Sequence, residues 1–459
     1  MSATKHFPSS WPIRPLAHPL VATVRPPGSK SITNRALVLS ALASHVQPVV
    51  LEGALFSEDT EVMMSALKQL GFQVYADSQT QRIELRMIPS APLIPVSQAE
   101  LMCGNSGTTM RFLTALVSLG HGKYRLDGVS RMRESPIEDL LEALRQLGVE
   151  AYSEAGNGCP PVWVIAQGWE PAHKVTVRGE LSSQFISGLL LAAPWSGVTV
   201  TFRVVGQMVS EPYVDMTLRM LETFGARVQC HSMTGSEALV AVAREFHVPA
   251  QQPCGTRCYT IEPDATAATY WWAAAAITGG AVTVIGLNRD SLQGDVRFVE
   301  LLERMGCQVD WRADRITVQG GQLRGIEVDM NAISDTVMTL AAVACFAEGP
   351  TRIYHVAHIR HKETDRLAAL TRELRRLGAE VQEHGDGLTI FPRPMQGTLV
   401  YTYNDHRMAM SLALVGLRVP GVVIDQPACV AKTYPDFFAD LERLCFSNGG
   451  RNSEGRTVE

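Results

Sequence analysis

The sequence predicts an α/β protein assembled from six similar repeats, and two observations support this prediction. A helix ending in an apolar residue, a glycine and a short strand recur along the chain, with successive glycines 72 to 81 residues apart. Each copy follows a mostly apolar helix, a turn of small residues and a strand rich in β-branched residues. A repeat of this length indicates one supersecondary unit used several times. The glycines are Gly71, Gly148, Gly225, Gly306 and Gly378.

The two helices of each repeat differ in their pattern of apolar residues. The first is apolar nearly all round, so we expect it to be buried. These first helices begin near Asn34, Met110, Ser187, Ala267, Val337 and His406. The second helix is amphipathic and should lie outside, and the glycine after it is the expected C′ residue with positive φ. A sixth copy, DLERLCF, lacks the glycine and runs into a polar tail, residues 447–459, that we expect to be disordered.

Six repeats fit three arrangements: a ring, a solenoid, or two clusters of three. The length of 459 residues favours a few compact domains over one long array. The best candidates for domain boundaries lie between repeats, at Pro26-Pro27-Gly28 and in the loop from Cys254 to Pro263.

Composition limits the partners and the compartment. The net charge is −5, with 41 basic and 46 acidic residues, which argues against nucleic acid or an anionic membrane as a partner. The most apolar stretch, Tyr270 to Leu287, is interrupted by Thr278-Gly279-Gly280, so we predict a helix, a turn and a strand there instead of a membrane span. The nine cysteines are odd in number and contain no CxxC, and the N-terminus has no apolar run. These features predict a cytoplasmic protein without disulfides or a metal site.

A short polar segment precedes each buried helix. Capping is the simplest interpretation, because Ser, Thr, Asp and Asn are the preferred N-caps. However, Lys30, Arg35, Arg111 and Arg407 lie in or just after these segments, and a helix N-terminus beside a cation forms an anion site. Several such helices beginning near one cleft would direct several anion sites to one place. The segments are residues 28–31, 104–109, 181–184, 263–266, 334–336 and 404–407.

The segment RIYHVAHIRHKETDR, residues 352–366, is the other concentration of polar side chains. It has three interpretations: a solvated connection, a metal site of His355, His358 and His361, or a cationic strip around Glu363. A carboxylate flanked by cations can have its proton affinity tuned for acid–base chemistry.

Short motifs between Pro15 and Phe438 carry a resemblance to one known family. They are PGSKSITNRAL, GNSGTTMR, SRMRESPIEDL, SSQF, SEPYVDMT, EPDAT, SLQGD, KETDR, NDHRMAM and AKTYPDF. Together these motifs resemble the EPSP synthase family of 3-phosphoshikimate 1-carboxyvinyltransferases. The resemblance implies an α/β (α+β) fold of two domains, inside-out and barrel-like, with six βαβαββ repeats, three in each domain. The N-terminal domain would span residues 29–261, and the C-terminal domain residues 1–28 and 262–446.

The resemblance also implies an activity. The carboxyvinyl group of phosphoenolpyruvate would pass to the 5-hydroxyl of shikimate 3-phosphate, giving 5-enolpyruvylshikimate 3-phosphate and phosphate. The route would be addition–elimination through a tetrahedral intermediate, in the shikimate pathway that supplies chorismate for aromatic amino acids. It implies no cofactor and no metal, and a monomer whose partners are these two small substrates.

Residue roles are implied in the same way. Asp335 would take the proton from the 5-hydroxyl, and Glu363 or Lys30 would protonate the methylene carbon. Shikimate 3-phosphate would contact Lys30, Ser31, Arg35, Ser182, Ser183, Gln184, Ser210, Tyr213, Asp335, His358 and Lys362. Phosphoenolpyruvate would contact Lys30, Asn105, Gly107, Arg131, Gln184, Arg366, Arg407 and Lys432.

Four residues depart from the pattern common in the family. His358 stands where many members have Asn, Phe112 where many have Pro, and Ser106 and Thr109 replace alanines. Residues 106–112 border the phosphoenolpyruvate pocket, which glyphosate occupies in the family. We therefore expect glyphosate to act as an inhibitor with altered strength.

Two other functions are alternatives. The sister carboxyvinyltransferase that acts on UDP-N-acetylglucosamine shares the sixfold architecture, but it typically has Lys-Asn near the start and a reactive Cys in a mobile loop. This chain has Lys30-Ser31 and no cysteine in the block after Arg131. A non-catalytic anion-binding relative is the other alternative, and the presence of Asp335 and Glu363 argues against it.

Overall fold

The chain divides into two compact units. Residues 28–262 form one, here called the central unit, and the chain before and after them forms the other, the terminal unit. The predicted tail, residues 447–459, lies outside the described part of the chain. The computed structural model describes residues 7–88, 91–171, 174–232, 242–250 and 256–446.

Helices and strands alternate through both units. The α-helices within the described residues are α1 Lys30–Ala43, α2 Glu58–Gln69, α3 Gly107–Val117, α4 Glu138–Gln146, α5 Ser183–Ala192, α6 Pro212–Thr223, α7 Ala265–Thr278, α8 Phe298–Arg304, α9 Val337–Ala344, α10 Arg366–Arg376, α11 His406–Ala413 and α12 Phe437–Phe446. The strands are β1 Ser10–Pro12, β2 Val21–Val24, β3 Val49–Glu52, β4 Gln73–Asp77, β5 Arg82–Arg86, β6 Gln98–Met102, β7 His121–Asp127, β8 Glu150–Ser153, β9 Val162–Gln167, β10 Val175–Arg178, β11 Val200–Val205, β12 Gln229–Ser232, β13 Val242–Val248, β14 Cys258–Thr260, β15 Ala281–Ile285, β16 Gln308–Trp311, β17 Arg315–Gln319, β18 Glu327–Asp329, β19 Thr351–Tyr354, β20 Glu380–His384, β21 Gly387–Phe391, β22 Leu399–Val400 and β23 Val423–Asp425.

Each complete repeat has the order βαβαββ, as the second repeat of the central unit shows. There, β6 pairs in parallel with β7 after α3, and the hairpin of β8 and β9 follows α4 and joins β7 antiparallel through β9. In this register Gln98 lies opposite Lys123, and Tyr124 lies opposite Val164. The sheets of the central unit have the orders β14-β3-β5-β4, β6-β7-β9-β8 and β10-β11-β13-β12. Those of the terminal unit have the orders β2-β15-β17-β16, β18-β19-β21-β20 and β22-β23-β1.

The first repeat of each unit takes its first strand from a distant part of the chain. In the central unit, the parallel partner of β3 is β14, which lies just before the chain returns to the terminal unit. In the terminal unit, the parallel partner of β15 is β2, which lies just before the chain enters the central unit. Both passages between units therefore fall between a strand and the buried helix that follows it.

The sixth repeat ends differently, as its missing glycine suggests. No hairpin follows α12 within the described residues, and β1 from the start of the chain pairs antiparallel with β23 in its place. The ring of Trp11 on β1 stacks on Phe438 of α12 with the centroids 5.1 Å apart. The N-terminal segment thus completes the last sheet of the terminal unit.

The burial of the helices confirms the predicted division into inner and outer helices. In α1, α3, α5, α7, α9 and α11 nearly every residue is buried, whereas the second helix of each repeat buries one face. Within the central unit α1, α3 and α5 pack together, and within the terminal unit α9 packs between α7 and α11. The repeat glycines have φ between +79° and +111°, as expected of C′ residues that end helices. The mixed α/β fold of six repeats is confirmed.

Side-chain capping is confirmed at five of the six buried helices. The side chain of each cap accepts a hydrogen bond from a backbone N–H in the first turn. The prediction is wrong for α9, which follows a 3₁₀ turn, Asn331–Thr336, without a side-chain cap. That turn carries Asp335, which leaves its carboxylate available for other partners. The five caps are Ser29, Ser106, Ser182, Asp264 and Asp405.

Candidate active site

In the terminal unit, acidic and basic side chains meet near the starts of four helices. They come from the turn before α9, the segment around the start of α10, the first turn of α11 and the 3₁₀ turn before α12. The first two of these helices belong to one repeat and the last two to the next, so only tertiary packing brings the side chains together. The cluster consists of Asp335, Glu363, Arg366, Asp405, Arg407 and Lys432.

Arg366 is the centre of this cluster. Its Nε donates to Oδ2 of Asp405 at 2.8 Å, and both side chains are almost completely buried. Its Nη1 lies 3.1 Å from Oδ1 of Asp335, and its Nη2 lies 2.8 Å from Oε2 of Glu363. Burial acts to lower the pKa of Arg366, but the three carboxylates together raise it above its ordinary value. The guanidinium is therefore a fixed charge that orients the carboxylates of Asp335 and Glu363 at once.

Asp335 and Glu363 each have a second cation. Nη2 of Arg407 donates to Oδ2 of Asp335 at 2.7 Å, and Nζ of Lys432 lies 2.8 Å from Oε1 of Glu363. The side chains of Asp335 and Glu363 are 19% and 14% exposed, whereas that of Asp405 is 0% exposed. Asp335 and Glu363 can therefore meet a ligand, and Asp405 serves as an internal anchor.

Two further basic side chains adjoin the cluster. Burial lowers the pKa of Lys362, an effect that Asp335 opposes. Nε2 of His358 lies 2.9 Å from Oγ of Ser334, one residue before Asp335. Burial and the charge of Lys362 lower the pKa of His358 to about 4, so its ring is neutral near pH 7.

The terminal unit contains a further buried carboxyl, Asp295. It accepts a hydrogen bond from the hydroxyl of Thr266 in the first turn of α7. Burial and the charge of Asp335 raise the pKa of Asp295 to about 7. Asp295 lies in the SLQGD stretch, but the residue pattern assigned it no role because nothing in the sequence shows that its side chain is buried.

In the central unit, Arg35 links α1 to α6. Its Nε donates to Oγ1 of Thr217 at 2.8 Å, its Nη1 to the carbonyl of Ser31 at 3.0 Å, and its Nη2 to the carbonyl of Tyr213 at 3.0 Å. The guanidinium carbon lies 5.1 Å from the centroid of the Phe112 ring. Burial lowers the pKa of Arg35 to about 10, which keeps it charged at neutral pH. The structure thus brings three of the predicted shikimate 3-phosphate residues together.

The segment before α6 is strained at another predicted residue. Ser210 has φ of +52°, in the left-handed region that residues with a side chain seldom adopt. Its carbonyl accepts a hydrogen bond from the backbone N–H of Tyr213 at 3.1 Å. Non-glycine residues held in this region are concentrated at functional sites.

The start of α3 lies beside the start of α5. Ser106 caps α3, and its Oγ lies 2.8 Å from Oγ1 of Thr109, with Asn105 immediately before it in the chain. A Cβ at Gly107 would lie 3.3 Å from Nη1 of Arg111 and 3.3 Å from Oε1 of Gln184. The glycine therefore keeps space open between two polar side chains.

Lys30 and Arg131 are the other predicted cations of the central unit. Nζ of Lys30, at the first residue of α1, lies 3.4 Å from Oδ2 of Asp59, and its side chain is 12% exposed. Nη1 of Arg131 donates to Oε2 of Glu134 at 2.9 Å, and its side chain is 36% exposed. Each cation thus has a carboxylate partner within its own unit.

Among the residues that the structure describes, no group of three His, Cys, Asp or Glu side chains is arranged to hold a metal ion. The proposed histidine site is not formed. His355 Nδ1 lies 2.7 Å from Oδ2 of Asp329, and His358 contacts Ser334. Across the same described ranges, no helix combines the length and apolar character needed to cross a bilayer.

Comparison with known proteins decides the family. The family model described as EPSP synthase (3-phosphoshikimate 1-carboxyvinyltransferase) matches residues 16–441. A curated relative from Nostoc sp., named 3-phosphoshikimate 1-carboxyvinyltransferase, is 45% identical over 94% of this chain and 98% of its own length. The chain belongs to the EPSP synthase family. It is accordingly a transferase of the shikimate pathway.

Two further relatives extend the comparison. A chloroplastic 3-phosphoshikimate 1-carboxyvinyltransferase from Petunia hybrida is 41% identical over 96% of this chain and 86% of its own length. The solved structure of EPSP synthase from Acinetobacter baumannii superposes with a TM-score of 0.74 at 23% identity, covering 95% of this chain and 98% of that one. The structural likeness shows that the EPSP synthase fold is shared.

Several residues that matter in the structure were not predicted for this member of the EPSP synthase family. Asp405 lies within the quoted motif NDHRMAM, yet its bond to Arg366 joins residues 39 positions apart. Thr217 and Ser187 contact Arg35 across 182 and 152 positions. Two of them had a local signal: an Asp just before an apolar helix predicts a cap at Asp405, and Thr217 ends the quoted motif SEPYVDMT.

His358, which replaces the Asn common in the family, should make stability depend on pH. Its folded-state pKa of about 4 lies below the ordinary value of 6.5, so between these pH values the unfolded chain binds a proton that the folded chain does not. Stability should therefore fall as the pH drops from 6.5 towards 4, by up to roughly 3 kcal/mol. We expect His358→Asn to remove most of this loss, as measured by urea unfolding at pH 7 and pH 4.5.

The control is His361→Asn, because His361 is exposed in the same segment. This variant should keep the wild-type loss of stability on acidification. Equal acid sensitivity of His358→Asn and wild type would show that His358 does not carry the effect.

Proposed function

We propose that the chain transfers the carboxyvinyl group of phosphoenolpyruvate to the 5-hydroxyl of shikimate 3-phosphate and releases phosphate. The observation that carries the proposal is the orientation of Asp335 and Glu363 by one buried guanidinium, Arg366. The reaction needs a base for the hydroxyl and an acid for the methylene carbon, and both carboxylates are partly exposed.

The cations of the terminal unit suit phosphoenolpyruvate. Arg366, Arg407 and Lys432 converge on the two carboxylates, and guanidinium groups bind carboxylate and phosphate through two parallel hydrogen bonds. A substrate with both groups can therefore contact several cations at once. We propose that the remaining phosphoenolpyruvate contacts come from the central unit, from Lys30, Asn105, Gly107, Arg131 and Gln184.

Arg35 supports binding of shikimate 3-phosphate. It is held by α6 and by the carbonyl of Ser31, so the first turn of α1 and the strained segment at Ser210 are fixed relative to each other. Hydroxyl groups and backbone N–H groups at helix starts bind phosphate well. We propose that shikimate 3-phosphate contacts Lys30, Ser31, Arg35, Ser182, Ser183, Gln184, Ser210, Tyr213, Asp335, His358 and Lys362.

Proton transfer then follows from the roles of the carboxyls. Glu363, or Lys30 in its place, protonates the methylene carbon of phosphoenolpyruvate, which makes the adjacent carbon cationic. The 5-hydroxyl attacks that carbon as Asp335 takes its proton, and the product is a tetrahedral ketal phosphate. Loss of phosphate and of a methyl proton from this intermediate gives the enol ether. Carboxylates beside the cationic carbon stabilise the charge that develops.

Further properties belong to the same proposal. We propose that the central and terminal units are the two domains of the family, with each passage between them within one residue of the bound predicted from the sequence, and that the protein is a cytoplasmic monomer. Inhibition by glyphosate at the phosphoenolpyruvate pocket also stays a prediction. The contacts of Ser106 with Thr109, and of Phe112 with Arg35, are the features that would alter its strength.

The test is release of phosphate from phosphoenolpyruvate by the purified chain. We expect release only when shikimate 3-phosphate is present, with formation of a product heavier by one carboxyvinyl group in mass spectrometry. UDP-N-acetylglucosamine serves as the control acceptor and should give no release. Release with that acceptor would favour the sister transferase, and absence of release with either would favour a non-catalytic relative.

A further inference from the structure

The turn that leads into α11 has an unusual backbone. Tyr403 and Asn404 have φ of +53° and +55°, so two successive residues with side chains are left-handed. The backbone N–H of Asp405 donates to the carbonyl of Thr402 at 2.9 Å and closes the turn. A bulky residue such as tyrosine adopts this conformation only where surrounding contacts impose it.

A buried carboxylate on α10 supplies those contacts. Oε1 of Glu373 accepts a hydrogen bond from the hydroxyl of Tyr403 at 2.7 Å, and Oε2 accepts one from the backbone N–H of Tyr401 at 3.0 Å. Glu373 is 0% exposed, and Nη1 of Arg376 donates to its Oε2 at 2.8 Å. Arg372 donates to the Tyr403 hydroxyl at 3.2 Å and lies over its ring. The carboxylate thus holds the chain on either side of Thr402, and Arg376 supplies its counter-charge.

The same helix is bound to the other side of the turn. Arg366 at the first residue of α10 donates to Asp405, and Asp405 Oδ1 accepts a hydrogen bond from the backbone N–H of Arg407 at 2.9 Å. Two turns later along α10, Glu373 binds the residues just before Asp405. The strained turn is therefore held at both ends by one helix, and it presents Arg407 towards Asp335.

We propose that Glu373 is a positioning residue for phosphoenolpyruvate: it holds the turn Thr402–Asp405 in its left-handed form and so sets the place of Arg407 beside Arg366. Glu373 itself does not contact substrate. The inference rests on the proposed function, because it assigns Arg366 and Arg407 to phosphoenolpyruvate.

Glu373→Gln tests the inference. An amide can accept at only one of its two ends, while the shape of the buried side chain is kept. The Tyr403 hydroxyl loses its acceptor if the amide nitrogen replaces Oε1, and the backbone N–H of Tyr401 and the Arg376 guanidinium lose theirs if it replaces Oε2. We expect KM for phosphoenolpyruvate to rise about tenfold and KM for shikimate 3-phosphate to change less than about twofold. Tyr403→Phe, which removes only the hydroxyl, should shift the same constant in the same direction.

A rescue variant separates positioning from general damage. Glycine adopts positive φ without steric cost, so Asn404→Gly in the Glu373→Gln background should restore part of the lost affinity for phosphoenolpyruvate. Ile390→Val, a buried change on β21, is the control for loss of stability and should leave both KM values unchanged. A parallel rise of both KM values in Glu373→Gln, without rescue, would overturn the inference.

A readout independent of activity completes the test. Hydrogen exchange at the amide of Asp405, which closes the turn, should be faster in Glu373→Gln than in wild type and unchanged in Ile390→Val. Wild-type exchange and a wild-type KM for phosphoenolpyruvate in Glu373→Gln would refute the positioning role. If wild type released no phosphate, the proposed function would fail, and exchange at Asp405 would still decide whether Glu373 holds the turn.

Discussion

Replacing Asp335 by alanine should remove most of the turnover while shikimate 3-phosphate still binds. The carboxylate contacts Arg366 and Arg407 and is 19% exposed, so it can reach a substrate hydroxyl without being the main source of binding charge. Loss of a positioned general base typically lowers the rate by roughly 100- to 10,000-fold. We therefore expect kcat to fall by that factor, with the dissociation constant of shikimate 3-phosphate, measured by calorimetry, changed less than about threefold.

The matched control is Asp329→Asn in the same unit. Asp329 is an exposed carboxylate paired with His355, and such surface pairs contribute little. This variant should keep wild-type kcat. A near-normal kcat in Asp335→Ala would reject the role of Asp335 as the base, and a lost affinity for shikimate 3-phosphate at unchanged kcat would make it a binding residue instead. Asp335→Asn, which keeps the shape, tells whether the charge or the volume of the side chain matters.

Arg366→Met should have the largest effect on stability. The arginine is 1% exposed and its partner Asp405 is 0% exposed, so the substitution leaves a buried carboxylate without its main counter-charge. Removing one partner of a buried ion pair typically costs about 3–5 kcal/mol. We expect the free energy of unfolding, measured by urea titration, to fall by that amount, and phosphate release to be lost with it.

Arg393→Met is the control for Arg366→Met. Arg393 forms an exposed pair with Glu380 at 2.7 Å, with both side chains more than half exposed, so its loss should cost less than about 1 kcal/mol. Adding Asp405→Asn to Arg366→Met should recover part of the lost stability, because the unpaired buried charge is then removed. An Arg366→Met protein as stable as Arg393→Met would mean that Asp405 finds another counter-charge.

Much of the fold could be predicted because its signals are local. The glycines at the ends of the second helices need positive φ, and the apolar character of the first helices requires burial whatever surrounds them. The mixed α/β class and the six repeats follow from these two features. The pairing of β14 with β3 and of β2 with β15 was not predictable from the residues alone. Pairing between strands more than 200 residues apart leaves no mark in either strand.

The candidate site divides in the same way. The motif KETDR contains Glu363 and Arg366, and the resemblance of the chain to a family suggested roles for these two residues and for Asp335 before any geometry was known. No motif shows that Asp405 orients Arg366, that Thr217 holds Arg35, or that Glu373 holds a strained turn. Each of these contacts joins side chains on different elements, and the residues involved are ordinary caps or helix residues when viewed locally.

The amino-acid order by itself determined the repeat, the inner and outer helices, the helix ends and the family, since each depends on the side chains of neighbouring positions or on a motif read along the chain. The tertiary structure alone decided which strands complete the first sheets, which carboxylates share the Arg366 guanidinium, and which buried groups hold them. The physical reason is that hydrogen bonds and ion pairs depend on distances of about 3 Å between atoms, and packing sets those distances between residues far apart in the chain.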